Sequence, residues 1–275
     1  MITHLQDTVL LNNGVEMPGL GLGVYKVEDG KTVQTAVQAA LETGYRMIDT
    51  ASFYDNEVGV GEAIKQSNLP REELFVTTKV WNDEQGYAKT KEAFEKSLQR
   101  LGLDYIDLYL IHWPVKGMYV ETWKAMEELY ESGQVRAIGV SNFHQQHVEN
   151  LLANSKIVPA INQVEYHPHL TQEPLYAFCK QQGIQLEAWS PLKRGRLMDE
   201  PYLLSLAQKY EKTVAQVILR WDIQNEVITI PKSTNPRRIK ENAAIFDFSL
   251  TEKEMQEISC LNQNERSGTN PDSYD

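Results

Sequence analysis

Asp49, Tyr54, Lys79 and His112 are of the types that can move a proton, and they stand in similar settings. Each lies at or just past the end of a short apolar run. Asp49 closes Met47-Ile48 and shares the loop Asp49-Thr50-Ala51-Ser52-Phe53-Tyr54 with the tyrosine. Lys79 closes Phe75-Val76-Thr77-Thr78, and His112 closes Asp107-Leu108-Tyr109-Leu110-Ile111. A phenol with its ordinary pKa of about 10 is a poor proton donor at neutral pH. An ammonium beside it favours the phenolate, so Lys79 is expected to draw the Tyr54 pKa down toward the working range. A carboxylate next to that lysine, here Asp49, holds it charged and in place. His112 would complete the set by donating a hydrogen bond to a carbonyl oxygen and orienting it. Alone, Tyr54 reads as a partly buried loop tyrosine and Lys79 as a surface lysine at a strand end. Together they read as a tuned acid for carbonyl chemistry.

That scheme needs no metal. His167-Pro168-His169 places its histidines on alternate sides, and His144 and His147 lie three apart on an expected helix with no carboxylate in matching register, so no metal site is expected. It does need a hydride donor, which no side chain can be. Gly19-Leu20-Gly21-Leu22-Gly23-Val24 resembles a dinucleotide fingerprint but fails it, because the third glycine would have to stand at Val24 or Lys26 and no helix opens there. These glycines read instead as a first barrel strand whose smallness lets a flat ring approach. A better phosphate site is Lys232-Ser233-Thr234 followed by Asn235-Pro236-Arg237-Arg238. Asn-Pro suits a helix start, whose backbone N–H groups would face the anion, and arginine matches phosphate by forked hydrogen bonds.

The elements that must position these residues follow from a regular alternation. Thr8–Leu11, the turn Asn12-Asn13-Gly14 and Val15-Glu16-Met17 predict an N-terminal hairpin. Eight strands are then expected at Leu20–Tyr25, Met47–Thr50, Phe75–Val80, Ile106–His112, Ala137–Ser141, Ala160–Glu165, Gln185–Ser190 and Val227–Ile230. Helix-period stretches separate them, such as Trp123-Met126-Leu129-Tyr130 with glutamates on the other face. Strict β/α alternation over 275 residues predicts an α/β fold, a single (β/α)8 TIM barrel spanning residues 1–275 as one domain, with a C-terminal helix. From Asn262 onward the chain is polar and is expected to be a tail over one barrel end. In such a barrel all the strand ends meet at one mouth. Asp49, Lys79, His112, Ser141-Asn142, Gln163, Trp189-Ser190 and Lys232-Ser233 would converge there.

Composition excludes several other classes. The chain carries 27 Lys and Arg against 38 Asp and Glu, a net charge of −11, which disfavours nucleic acid and anionic membrane as partners. No basic, apolar leader opens it and no window reaches the length of a membrane span. The two cysteines, Cys179 and Cys260, lack metal-ligand spacing and read as reduced thiols of a cytoplasmic protein, with a monomer as the default state.

The chain resembles the aldo-keto reductase superfamily, in particular the bacterial glyoxal/methylglyoxal and 2,5-diketo-D-gluconate reductase group. The resemblance rests on Gly44-Tyr45-Arg46-Met47-Ile48-Asp49-Thr50-Ala51, Leu110-Ile111-His112-Trp113-Pro114, Ile138-Gly139-Val140-Ser141-Asn142-Phe143 and Asn162-Gln163-Val164-Glu165. Ile230-Pro231-Lys232-Ser233 and Arg238-Ile239-Lys240-Glu241-Asn242 extend it, and it runs from about Thr8 to about Leu261. It implies a catalytic tetrad with Tyr54 as acid, Lys79 and Asp49 as its tuners and His112 as the carbonyl orienter. It implies NADPH as hydride donor, with Lys232, Ser233, Thr234, Arg238 and Asn242 on the 2′-phosphate and adenine. Trp189 would stack on the nicotinamide, and Ser141, Asn142 and Gln163 would hold its carboxamide. Ser190, Pro191 and Leu192 match the pyrophosphate loop, and Gly23, Val24, Asp49 and Gly195 complete the expected cofactor contacts. Lys193-Arg194-Gly195-Arg196 is more basic than the group's pattern, and the sequence leaves open whether it grips pyrophosphate or faces water.

Phe53, Trp81 and Trp113 lie just beyond tetrad positions and are expected to wall a narrow pocket for short carbonyl compounds. The resemblance implies dicarbonyls such as methylglyoxal or glyoxal, with sugar-derived ketones also open. Two other readings compete. One is a regulatory module that holds nicotinamide without turnover, disfavoured by the complete tetrad. The other is a Schiff-base lyase using Lys79 as nucleophile, disfavoured because Asp49 would keep that amine charged.

Overall fold

The computed structural model describes residues 2–274. The expected hairpin forms from β1 (Thr8–Leu10) and β2 (Glu16–Pro18), with Thr8 opposite Pro18. Its turn is tied down by Asn12 Nδ2 to the Pro159 carbonyl (3.0 Å) and Asn13 Nδ2 to the Arg136 carbonyl (3.0 Å). Leu11 and Met17 are thereby pushed into the barrel, where they join Met47, Phe75, Leu108 and Ile228 in one apolar cluster. The hairpin is the plug of one barrel end.

Eight parallel strands follow: β3 (Leu22–Gly23), β4 (Met47–Asp49), β5 (Phe75–Val80), β6 (Ile106–Ile111), β7 (Val135–Ser141), β8 (Ile161–Glu165), β9 (Gln185–Trp189) and β10 (Ile228–Thr229). They pair in chain order, and Leu20 and Gly23 bridge in parallel to Thr229 and Lys232. The first and last strands therefore meet, and the sheet is a closed barrel. At that seam the regular ladder is replaced by single bridges, which is why β3 and β10 are shorter than the sequence predicts. The glycines of the first strand serve this closure. A Cβ on Gly23 would lie 2.8 Å from the Ile230 carbonyl oxygen, and one on Gly21 would lie 2.5 Å from Met47 Cε. Their smallness is needed for strand contact and interior packing, and Gly23 also faces the cavity.

The outer layer alternates with the strands: α1 (Lys31–Thr43), α2 (Glu57–Gln66), α3 (Tyr87–Leu101), α4 (Tyr119–Glu131), α5 (Gln145–Leu152) and α6 (Glu173–Gln181). Between β9 and β10 the chain forms two helices, α7 (Pro201–Tyr210) and α8 (Val214–Gln224), where one was expected. Pro201 at the first turn and a left-handed Glu211 delimit α7, and Thr213 caps α8 through the Gln216 amide (3.2 Å). The chain ends in α9 (Pro236–Ala243), α10 (Glu252–Ser259) and the tail. The main core lies between strands and helices, with Trp123, Trp221, Tyr45 and Tyr109 as its largest fully buried apolar or aromatic side chains. Among the described residues no helix is long and apolar enough to cross a membrane. Cys179 and Cys260 are both free thiols, the former buried and pushed up to about 11 by that burial.

Candidate active site

Asp49 ends β4 and Lys79 stands near the end of β5, so parallel pairing of these strands sets them side by side. Lys79 is completely buried. Its Nζ donates to Asp49 Oδ1 at 2.6 Å and to the Thr50 carbonyl at 2.8 Å, and it lies 3.4 Å from the Tyr54 hydroxyl. Tyr54 comes from a tight turn, Ser52–Tyr54, released by a left-handed Asp55 (φ 52°). That turn is pinned by Ser52 Oγ, which contacts the Lys79 carbonyl (3.1 Å) and Glu84 Oε2 (2.7 Å). Asn56, wholly buried, accepts from Thr50 Oγ1 and donates to the Val24 and Val27 carbonyls. It locks the loop to the first strand, a role that nothing in its sequence setting signalled.

His112 follows β6 and meets Tyr54 edge-on, with ring centroids 5.7 Å apart. Burial, reinforced by the Lys79 charge, holds its pKa well below the usual imidazole range, so the ring is neutral. Its Nδ1 is buried without a protein partner. Asn142, in the left-handed region at φ 63°, donates to the His112 carbonyl (2.9 Å) and accepts from Trp189 Nε1 (2.8 Å). One side chain thus fixes the backbone of the histidine and the plane of the indole. Ser141 Oγ donates to the Gln163 carbonyl (2.8 Å).

The expected depression of the Tyr54 pKa does not occur. Burial raises it well above the ordinary phenol value, and negative charge at Asp49, or at Tyr25 and Glu187 whenever these ionise, adds to that. Desolvation, which residue spacing does not report, outweighs the pull of the lysine. Tyr54 is therefore a neutral phenol at working pH. It remains a competent acid toward an alkoxide, which is far more basic than a phenolate. The ammonium 3.4 Å away would stabilise the phenolate left behind.

Asp49, Tyr54 and His112 lie on the floor of a cavity of about 1030 Å³ that runs from the aromatic mouth to the start of α9, with Lys79 buried behind them. Phe53, Trp81, Trp113 and His112 line the mouth, Phe53 stacked on Trp81 at 3.7 Å. Gly23, Asp49, Ser141, Asn142, Gln163, Trp189, Ser190, Leu192, Gly195, Lys232, Ser233, Arg238 and Asn242 all reach its wall. Val24 does not: its side chain is wholly buried in the main core and its amide is bonded to the Asp49 carbonyl. Thr234 lies exposed beside α9, outside the wall.

Two further expectations change. The α9 terminus does not offer its amides to an anion. Asn235 Oδ1 accepts from the Arg237 and Arg238 amides, and Ser233 Oγ accepts from the Asn235 amide. The side chains of Lys232, Ser233 and Arg238 are what this end presents to the cavity. The basic run after β9 divides its labour. Lys193 is buried and bonded to Glu265 (2.7 Å) and His169 Nδ1 (2.9 Å), whereas Arg194 lines the cavity.

The tail contributes more than its composition suggested. Ser267 and Gly268 amides donate to the Glu165 carboxylate, Gly268 packs against Trp189, and Tyr274 packs on Trp113 at 4.9 Å. The tail also carries the carboxylate that the His144/His147 pair lacked in sequence. Asp272 approaches them, bringing three ligand atoms within 4.8 Å of one another. Yet Arg266 donates to His144 Nε2 (2.8 Å), so the imidazole proton sits on Nδ1 and goes to Asp272 (2.6 Å). A guanidinium on one histidine nitrogen and a proton on the other make this a tail anchor rather than a cation site. His167 and His169 are likewise engaged, with Glu165 (3.2 Å) and Lys193 (2.9 Å) respectively. Tyr25, whose ring lies 5.0 Å from Tyr54, is another wall residue the sequence did not single out, although it ends the predicted first strand.

Comparison with known proteins places this geometry. Residues 19–263 match the model of the Aldo/keto reductase family. The chain is 60% identical over 272 residues to the glyoxal reductase of Bacillus subtilis (strain 168), covering 99% of each. It is 46% identical over 270 residues to the methylglyoxal reductase DkgA of Escherichia coli (strain K12), covering 97% of each. Among solved structures, a Bombyx mori aldo-keto reductase in complex with NADP superposes with a TM-score of 0.92 at 40% identity, covering 100% of this chain and 98% of that one.

Proposed function

The chain belongs to the aldo/keto reductase family, and we propose that it reduces small aldehydes, ketones and dicarbonyls such as methylglyoxal or glyoxal with NADPH. The observation that carries this reading is the completely buried Lys79 amine, 2.6 Å from Asp49 and 3.4 Å from the Tyr54 hydroxyl, directly behind these two residues where they line an aromatic-sided cavity. The names of the relatives, a glyoxal and a methylglyoxal reductase, support the substrate class.

The cofactor follows from the cavity's other half. Its far end carries Lys232 and Arg238, local cations in a chain of net charge −11, which suits a phosphorylated ribose. Trp189, held by Asn142, and the polar groups of Ser141, Asn142 and Gln163 on the same wall suit a nicotinamide. Bound NADPH would supply the hydride to the carbonyl carbon. The protein's own residues do the rest. Phe53, Trp81 and Trp113 exclude water and seat the substrate. Neutral His112 orients the carbonyl oxygen toward the Tyr54 hydroxyl. Tyr54 gives its proton to the oxygen as negative charge develops there, and Lys79, steadied by Asp49, stabilises the resulting phenolate. All these side chains come from one closed barrel, which supports reading the chain as one domain.

Lys79 as a Schiff-base nucleophile is not compatible with this geometry, since its amine already has three oxygen neighbours and no exposed surface. The test is the loss of NADPH absorbance on adding methylglyoxal, glyoxal or a keto-sugar. Tight NADPH binding with no turnover on any of them would leave only a binding module. Arg238→Ala should weaken NADPH by about tenfold to a hundredfold, the effect of losing one or two kcal/mol-scale charge-assisted bonds, and should leave NADH nearly unchanged. Equal losses for both cofactors would remove the 2′-phosphate role.

A further inference from the structure

We infer that Glu187, buried on β9 beneath the tetrad, is a positioning residue that governs how readily Tyr54 releases its proton, and that it does so by remaining a neutral carboxylic acid. Glu187 stands two residues before Trp189, so both face the barrel interior. It is completely buried. The amide nitrogen of Gln163 donates to Asp49 Oδ2 at 2.8 Å and to Glu187 Oε2 at 2.9 Å. One NH₂ group therefore holds two carboxyl groups, from opposite sides of the barrel.

The charge count around that bridge decides the protonation. Lys79 is the ammonium facing the pair, and its bond goes to Asp49. Glu187 Oε1 has no protein partner at all. From the neighbouring elements, Asp49 on β4, Lys79 on β5 and Tyr54 on the following turn face Glu187, while Gln163 on β8 and Ile228 on β10 are uncharged. Asp222 of α8 bonds Thr229 Oγ1 on the helix side of β10, away from this interior. Two ionised carboxylates here would leave one negative charge without a counterion and without water, an arrangement that buried acid pairs avoid by keeping a proton. Burial first, and the Asp49 charge second, push the Glu187 carboxyl up to about 8.

The consequence reaches Tyr54. Negative charge at Glu187 tightens the phenol's hold on its proton. With Glu187 neutral, that charge is absent and proton release to the nascent alkoxide is easier. As Glu187 ionises under alkaline conditions, the proton goes to solvent, the barrel floor gains a charge, and reduction slows. This inference rests on the proposed role of Tyr54 as acid.

Two measurements test it together. In protein labelled with carbon-13 at the glutamate carboxyls, one resonance should titrate near 8 and be missing from Glu187→Gln. In single-turnover NADPH oxidation, which isolates the chemical step, the wild-type rate should fall with that same midpoint, and the rate of Glu187→Gln should stay level across the range. A set of glutamate signals confined to the ordinary carboxylate range overturns the proposal, as does an alkaline fall that persists in the variant. If Glu187→Gln does not fold, agreement or disagreement between the wild-type titration and the wild-type rate midpoint decides the matter. Tyr54→Phe measured in parallel separates the two claims. A fast Tyr54→Phe enzyme refutes the acid assignment, and a slow one with a pH-independent wild-type rate refutes Glu187 alone.

Discussion

Tyr54→Phe is expected to slow carbonyl reduction by about 10²–10⁴-fold, the range for loss of a positioned general acid. The substitution removes one oxygen and little else. The ring keeps its contacts with Tyr25 and His112, at 5.0 and 5.7 Å, and Lys79 keeps Asp49 and the Thr50 carbonyl. Cofactor affinity, read from quenching of tryptophan fluorescence by NADPH, should therefore change little. The split is the informative part. A mutant that binds NADPH as before and has lost turnover has lost the acid. A mutant that retains most of its rate shows that water or another group protonates the oxygen.

Lys79→Met is expected to damage both rate and stability. The amine is the cation that faces Asp49 and Glu187, and breaking a buried pair by removing one partner costs about 3–5 kcal/mol. Without the ammonium, Asp49 loses the influence that opposes its burial, and its carboxyl rises further above the ordinary range. A carboxyl whose pKa is raised in the folded state stabilises the fold below its unfolded pKa and loses that contribution as pH rises through the folded value. The destabilisation should therefore be smallest in acid and grow toward alkaline pH, as urea unfolding at several pH values would register. Combining Lys79→Met with Asp49→Asn should restore much of the stability and none of the turnover. A double variant no more stable than the single one would mean that the pair is not coupled as the distances imply.

Much of the fold could be read from the chain because strand and helix periods alternate without interruption. β5 runs over the predicted Phe75–Val80, and the other strands differ from prediction only at their ends. The largest error in strand length falls at β3, and β10 is shortened too, where closure depends on contacts between residues some two hundred positions apart, as between Leu20 and Thr229. The separate helix α7 was hidden because its apolar spacing runs on toward α8. Within the site, Asp49, Lys79 and His112 were visible as polar groups ending apolar runs. What stayed out of view was whatever depends on burial or on the distant tail. The rise of the Tyr54 pKa, the capped amides of α9, the buried Lys193 and the placing of Tyr274 on Trp113 all belong to this kind.

The tail's attachment has an evolutionary corollary. The groups proposed to perform the chemistry sit on barrel strands and short pinned turns, while one side of the mouth is made by the tail, tethered through Glu165, Lys193 and His144. Sequence drift in those last residues can reshape which molecules are admitted without disturbing the reacting atoms. Descendants of such a protein are free to change diet while conserving their catalytic engine, provided the tethers survive.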